Sequence, residues 1–147
     1  MYLSYLEKSF LLKKLYNFSK NRRKVERKLK EYYPAFISPN LLFQDNNLSK
    51  SKVFEWWMVI QLRAEFFWRD SMQNEVDVVL IEEEIKPIEV KYGKIKLSEI
   101  LAFLNYFDLD MGYVATSTTE ESKIINNKTI QFIPGFKFLL ENLERIP

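Results

Sequence analysis

The chain has 147 residues, enough for one domain of ordinary size with a small appendage, and a composition 47% hydrophobic and 16% aromatic excludes a disordered polypeptide. It has neither cysteine nor histidine, which excludes disulfides, thiolate or imidazole metal ligands, and thiol or imidazole catalysis. A net charge of +2 conceals a split: residues 1–52 hold 12 Lys/Arg against 4 Asp/Glu and the remainder 10 against 16, so the front half is the expected contact for a polyanion.

In chain order, residues 2–8 read as a helix end, and "SFLLKKLYNF" fits strand better than helix. "SKNRRKVERKLK" follows, with seven basic residues between Lys20 and Lys30 and only Glu26 against them. That density predicts a phosphate-binding wing or loop formed by Lys20, Arg22, Arg23, Lys24, Arg27 and Lys28. "EYYPAFISPNLLF" carries Pro34 and Pro39, which favour an edge strand or extended segment. "QDNNLSKS" is a polar loop, placing a boundary near residue 48 between a basic segment, 1–48, and a second domain, 49–147.

Ser49 or Ser51 is the expected N-cap of the strongest helix, "KVFEWWMVIQLRAE". "EFFWRD" is a short strand, and "EVDVVLIE" and "KPIEVKY" form a hairpin around "EEE". "LSEILAFLNYF" is an amphipathic helix with Leu97, Ile100, Leu101, Leu104 and Phe107 on one side. "GYVATS" is a strand, "TTEES" opens a helical turn with a Thr118/Glu121 capping-box pattern, "TIQFI" is a strand ended by Pro134-Gly135, and "FKFLLENLERI" closes as a helix. The expected class is α/β, with one central sheet and helices packed on it. No apolar run approaches the roughly 20 residues that span a bilayer, and no signal-peptide pattern opens the chain, so a cytoplasmic protein without a membrane partner is expected.

The hairpin carries the chemistry. Side chains alternate faces along a strand, and odd-numbered residues pair with odd ones here, so Glu75, Asp77, Glu89 and Lys91 gather at one end of an otherwise apolar strand pair. Two close carboxylates raise each other's pKa unless a cation sits between them. Lys91 is one such cation, but a single ammonium leaves lone pairs unsatisfied. Mg²⁺ or Mn²⁺ on Asp77 and Glu89 would satisfy them, polarise a phosphoryl oxygen and acidify a bound water. Lys91 would then neutralise charge on the phosphate. Glu55 shares a helical stripe with Val59 and Leu62, points inward, and is placed to bind a metal water or accept a proton.

A helix Glu followed by D–x(11)–E–x–K on a strand hairpin resembles the PD-(D/E)XK nuclease superfamily, through Glu55, Asp77, Glu89 and Lys91. "YLEKSFLLKKLYNFSKNRR", "FEWWMVIQL", "FFWRDSMQNEVDVVL" and "PIEVKYG" are similar to the nuclease-like C-terminal domains of prokaryotic, archaeal-type P-loop ATPases, DUF4143/DUF234-like. The resemblance implies a restriction-endonuclease-like mixed central sheet flanked by helices, behind a small winged-helix-like basic extension. It also implies Mg²⁺-dependent DNA phosphodiester hydrolysis in association with an ATPase. The chain has no G-x-x-x-x-G-K-[ST], so an ATPase module would have to be a partner or a neighbouring part of a longer protein, and Val76 replaces the motif proline before Asp77. A second reading keeps the fold as a DNA-binding or homodimerisation platform for an ATPase, without hydrolysis. A third is a protein-interaction domain using exposed aromatics. Against any site stands the plainer reading of D–x(n)–E–x–K, an ion-paired strand end in which Lys91 neutralises both acids.

Overall fold

The computed structural model describes residues 2–143, without the side chains of Arg22, Glu26, Arg27, Leu41, Leu42, Asn142 and Leu143. The elements are α1 (Tyr2–Lys8), β1 (Leu12–Asn17), α2 (Arg22–Arg27), β2 (Lys30–Pro34), α3 (Pro39–Leu42), α4 (Asn47–Gln61), β3 (Phe66–Arg69), β4 (Glu75–Ile81), β5 (Ile85–Lys91), α5 (Ser98–Phe107), β6 (Met111–Thr116), β7 (Glu121–Ile125), β8 (Lys128–Pro134) and α6 (Gly135–Leu143). The strands form one eight-stranded mixed sheet in the order β2-β1-β3-β4-β5-β6-β8-β7. Pairing is parallel at β1/β3, β5/β6 and β6/β8 and antiparallel elsewhere.

Helices cover both faces. On one, Met58 and Val59 of α4 and Phe138 and Leu139 of α6 pack with Leu15, Phe67, Val78, Ile88, Val90 and Ala115. On the other, Phe103 and Phe107 of α5 pack with Phe18, Trp68, Val76 and Val79, and Ile100 and Leu104 pack with Val114, Ile130 and Phe132. Leu15 and Phe18 are fully or nearly buried, so β1, from the basic front segment, continues the same sheet and core.

Three local expectations are corrected. Helix α4 is capped by Asn46, whose side chain accepts from the Ser49 N–H at 2.8 Å, rather than by Ser49 or Ser51. The basic run is not a loop over its central part: Arg22–Arg27 is a helix, with the Asn21 side chain accepting from the Arg23 N–H. The "TTEES" stretch does not open a helix, because Glu121–Ile125 pairs antiparallel with β8. Asn126 and Asn127, at φ of 50° and 62°, make that hairpin's tight turn. Strands β3, β4, β5 and β6 and helix α5 fall where the alternation and the 3.6-residue period put them.

Candidate functional site

Strand β4 is irregular where it matters. Phe66 pairs with Val79 but Trp68 pairs with Val76, so β4 carries one extra residue opposite β3. This bulge breaks the alternation: Val76 and Val79 pack towards α5, whereas Val78 packs towards α4 and α6. Asp77 lies at the irregularity, and bulges commonly re-aim a side chain beside a site. The β4/β5 ladder runs from Ile81↔Ile85 to Val78↔Ile88. Beyond it, Asp77 Oδ2 accepts from the Val90 N–H at 2.7 Å, so a carboxylate occupies the gap between the strands.

Glu89 pairs in register with Val114 of β6 and therefore faces α5. Its side chain is 1% exposed, and Oε1 receives the Lys91 ammonium at 2.5 Å while Oε2 has no hydrogen-bond partner. Glu99, in the first turn of α5, approaches Lys91 at 4.0 Å. Burial pushes the Glu89 carboxyl up to about 7 against the pull of Lys91, and the Glu99 carboxyl adds to the rise through its charge and a side-chain hydrogen bond. Burial also raises Asp77 well above the usual carboxylate range, reinforced by the charges of Glu89 and Glu55 and opposed by Lys91. Burial would lower Lys91, but Asp77 and Glu89 outweigh it and its pKa is raised.

Glu55 stands on α4, over the face opposite Glu89, and its Oε1 accepts the Tyr33 hydroxyl at 2.6 Å. Asp77 senses both charges from the strand gap between them. The structure thus brings Asp77, Glu89 and Lys91 together and sets Glu55 on the far side of Asp77. Among the described residues no group of three acidic side chains is arranged to hold a metal ion. Mg²⁺ takes one or two carboxylates and keeps most of its waters; Asp77 and Glu89 are the two acids gathered here, and both are closed to solvent in this conformation.

The basic residues singled out in the sequence are dispersed. Lys20 donates to the Phe107 carbonyl at 3.3 Å and lies over that ring, and Lys28 reaches the Phe18 carbonyl at 3.5 Å. Arg23 and Lys24 are exposed; the side chains of Arg22 and Arg27 lie outside the described residues. Arg69 is held by Glu75 and, at 3.4 Å, Glu31, so its guanidinium is already engaged. Phe67 and Trp68 are core residues. Sequence reasoning missed Tyr33, Glu31 and Glu99, which reach the site from elements far apart in the chain; the only local signal was the Ser98-Glu99 start of α5. A cleft of about 560 Å³ between Trp57, Leu62, Arg63, Ile81 and Leu140 includes none of the four site residues.

Compared with known proteins, a family described as Domain of unknown function (DUF4143) matches residues 52–136, more than half of the chain. No curated protein and no solved structure matches it. Among the described residues no helix is long and apolar enough to cross a membrane.

Proposed function

The chain belongs to the DUF4143 family, whose function is unknown, and we propose that its strand-end carboxylates serve Mg²⁺- or Mn²⁺-dependent hydrolysis of DNA phosphodiesters on a restriction-endonuclease-like sheet. The observation that carries this reading is that two buried acids, Asp77 and Glu89, share one ammonium, Lys91, while Glu89 Oε2 meets no donor and has the Glu99 carboxyl as a further acidic neighbour. A buried carboxylate oxygen left without a donor is costly and is retained where an ion or a proton meets it.

Asp77 and Glu89 would hold the ion. A bound divalent cation supplies charge neutralisation at a phosphoryl oxygen and acidifies a bound water. Lys91, half-buried and protonated, stabilises negative charge growing on the phosphate. Glu55, bonded through one oxygen, keeps the other free to orient or deprotonate water. The exposed Arg23 and Lys24 of α2 dock a phosphate backbone, with the basic segment 1–48 acting as a winged-helix-like extension and an ATPase as the partner that drives or recruits the domain.

One observation favours a second reading. Lys91 is already paired with Glu89, and no three-carboxylate group is formed among the described residues. That arrangement suits a silent platform for DNA binding or dimerisation. Supercoiled plasmid incubated with protein and Mg²⁺ or Mn²⁺, beside Asp77→Ala and Lys91→Ala, separates the two. Metal-dependent nicking abolished in both variants supports hydrolysis; DNA binding without nicking supports the platform. Nicking that persists in both variants sinks the proposed site.

A further inference from the structure

Outside the matched residues, β2 makes two consecutive contacts with α4. Tyr33 donates its hydroxyl to Glu55 Oε1 at 2.6 Å, and the Trp56 indole N–H donates to the Pro34 carbonyl at 2.7 Å. Neighbouring residues on each element are therefore fastened to neighbouring residues on the other. We propose that Tyr33 is a positioning residue for Glu55, so that the front hairpin β1/β2 completes the site; this rests on the hydrolytic reading above.

The hydroxyl has one proton and two acidic neighbours. Glu55 is at 2.6 Å, inside the normal range for an O–H···O bond, whereas Glu31 Oε2 at 3.5 Å is beyond it. Arg69 holds Glu31 from the other side at 3.4 Å and also pairs with Glu75, which leaves the phenol for Glu55. Arg69 is itself fixed through its backbone: buried Asn17 donates to the Arg69 carbonyl at 2.9 Å and accepts from its N–H at 3.2 Å. The array of β3, β1 and β2 thus ends in a rigid aromatic donor. Its target is a glutamate that, unfastened on a helix surface, would sample several rotamers. With Oε1 occupied, Oε2 of Glu55 has a defined direction. Tyr33 also senses the charge of Asp77, so the fastened carboxylate stands in the field of the strand gap.

The test compares wild type, Tyr33→Phe, Glu55→Gln and the double variant, with Trp56→Phe as a packing control. The readouts are Mn²⁺ affinity by electron paramagnetic resonance and plasmid nicking resolved into kcat and KM. Losing an orienting partner typically costs 10–100-fold in activity or metal affinity. Tyr33→Phe is expected to lower kcat by about 10-fold and to weaken Mn²⁺ binding several-fold, with KM for DNA unchanged. The double variant should be no worse than Glu55→Gln, since both remove one interaction. Wild-type kcat and affinity in Tyr33→Phe, multiplicative losses in the double variant, or an equal loss in Trp56→Phe would overturn the inference while leaving hydrolysis standing. A wild type that binds Mn²⁺ without cleaving ends the hydrolytic reading, and the affinity arm alone then decides Tyr33. A wild type that neither binds nor cleaves refutes both.

Discussion

Replacing Glu89 by its neutral isostere should make the metal-free protein more stable above neutral pH. The folded-state carboxyl is raised from an ordinary 4.5 to about 7, chiefly by burial. Between those values the unfolded chain has released a proton that the folded chain keeps, so stability falls as pH rises through that window and is level above it. Below 4.5 both states are protonated and nothing is lost. A gap of about 2.5 pH units at 1.36 kcal/mol each corresponds to about 3 kcal/mol at pH 8. Glu89→Gln removes this penalty and also relieves the like charge on Asp77. Urea unfolding in EDTA at pH 4.5, 6, 7 and 8, followed by tryptophan fluorescence, reads it directly. The variant should match wild type at pH 4.5 and exceed it by up to about 3 kcal/mol at pH 8. Parallel pH profiles for the two proteins would refute the buried-carboxylate argument.

Glu31→Gln should flatten the same pH window independently, since burial and the nearby Glu75 also raise Glu31 to about 7; an unchanged slope would count against it. Millimolar Mg²⁺ should stabilise wild type at pH 8 and leave Asp77→Asn unmoved, by mass action on a site present only in the folded chain, as measured by thermal unfolding. Gly112→Ala should cost about 1–3 kcal/mol in urea unfolding, because a Cβ there would lie 2.9 Å from Ile100 Cδ1 and 3.2 Å from Leu104 Cδ1 in a filled core. Arg23→Ala with Lys24→Ala should reduce the slope of log affinity for DNA against log salt by about 0.9 for each phosphate that these side chains neutralise; an unaltered slope would exclude α2 from the interface.

The hairpin and its polar end were legible because period-2 alternation shows which residues share a face. The bulge was not: an extra residue in β4 leaves composition unchanged and is set by pairing with β3. In "QDNNLSKS" several residues are chemically able to cap α4, and only the fold shows that Asn46 takes the extended cap position and accepts from the Ser49 N–H. Thr118 and Glu121 satisfied a helix-start pattern, but long-range pairing with β8 overrode it, and the Asn126-Asn127 pair was the unused hairpin signal. Tyr33 and Glu99 were invisible for another reason. Their partners Glu55 and Lys91 sit on other elements of the chain, and only the folded sheet makes them neighbours.

The parallel pairing of β1 with β3 bears on how the protein is dissected. A fragment trimmed to the borders of the family match would strip Tyr16 and Asn17 from Phe66 and Phe67, leaving β3 as a raw, aromatic-rich margin open to other chains. It would also discard Leu15, Phe18, Phe138 and Leu139 from the interior. The matched stretch is therefore smaller than the sheet and core it belongs to, and sticky, insoluble truncations are the expected outcome of cutting at its borders.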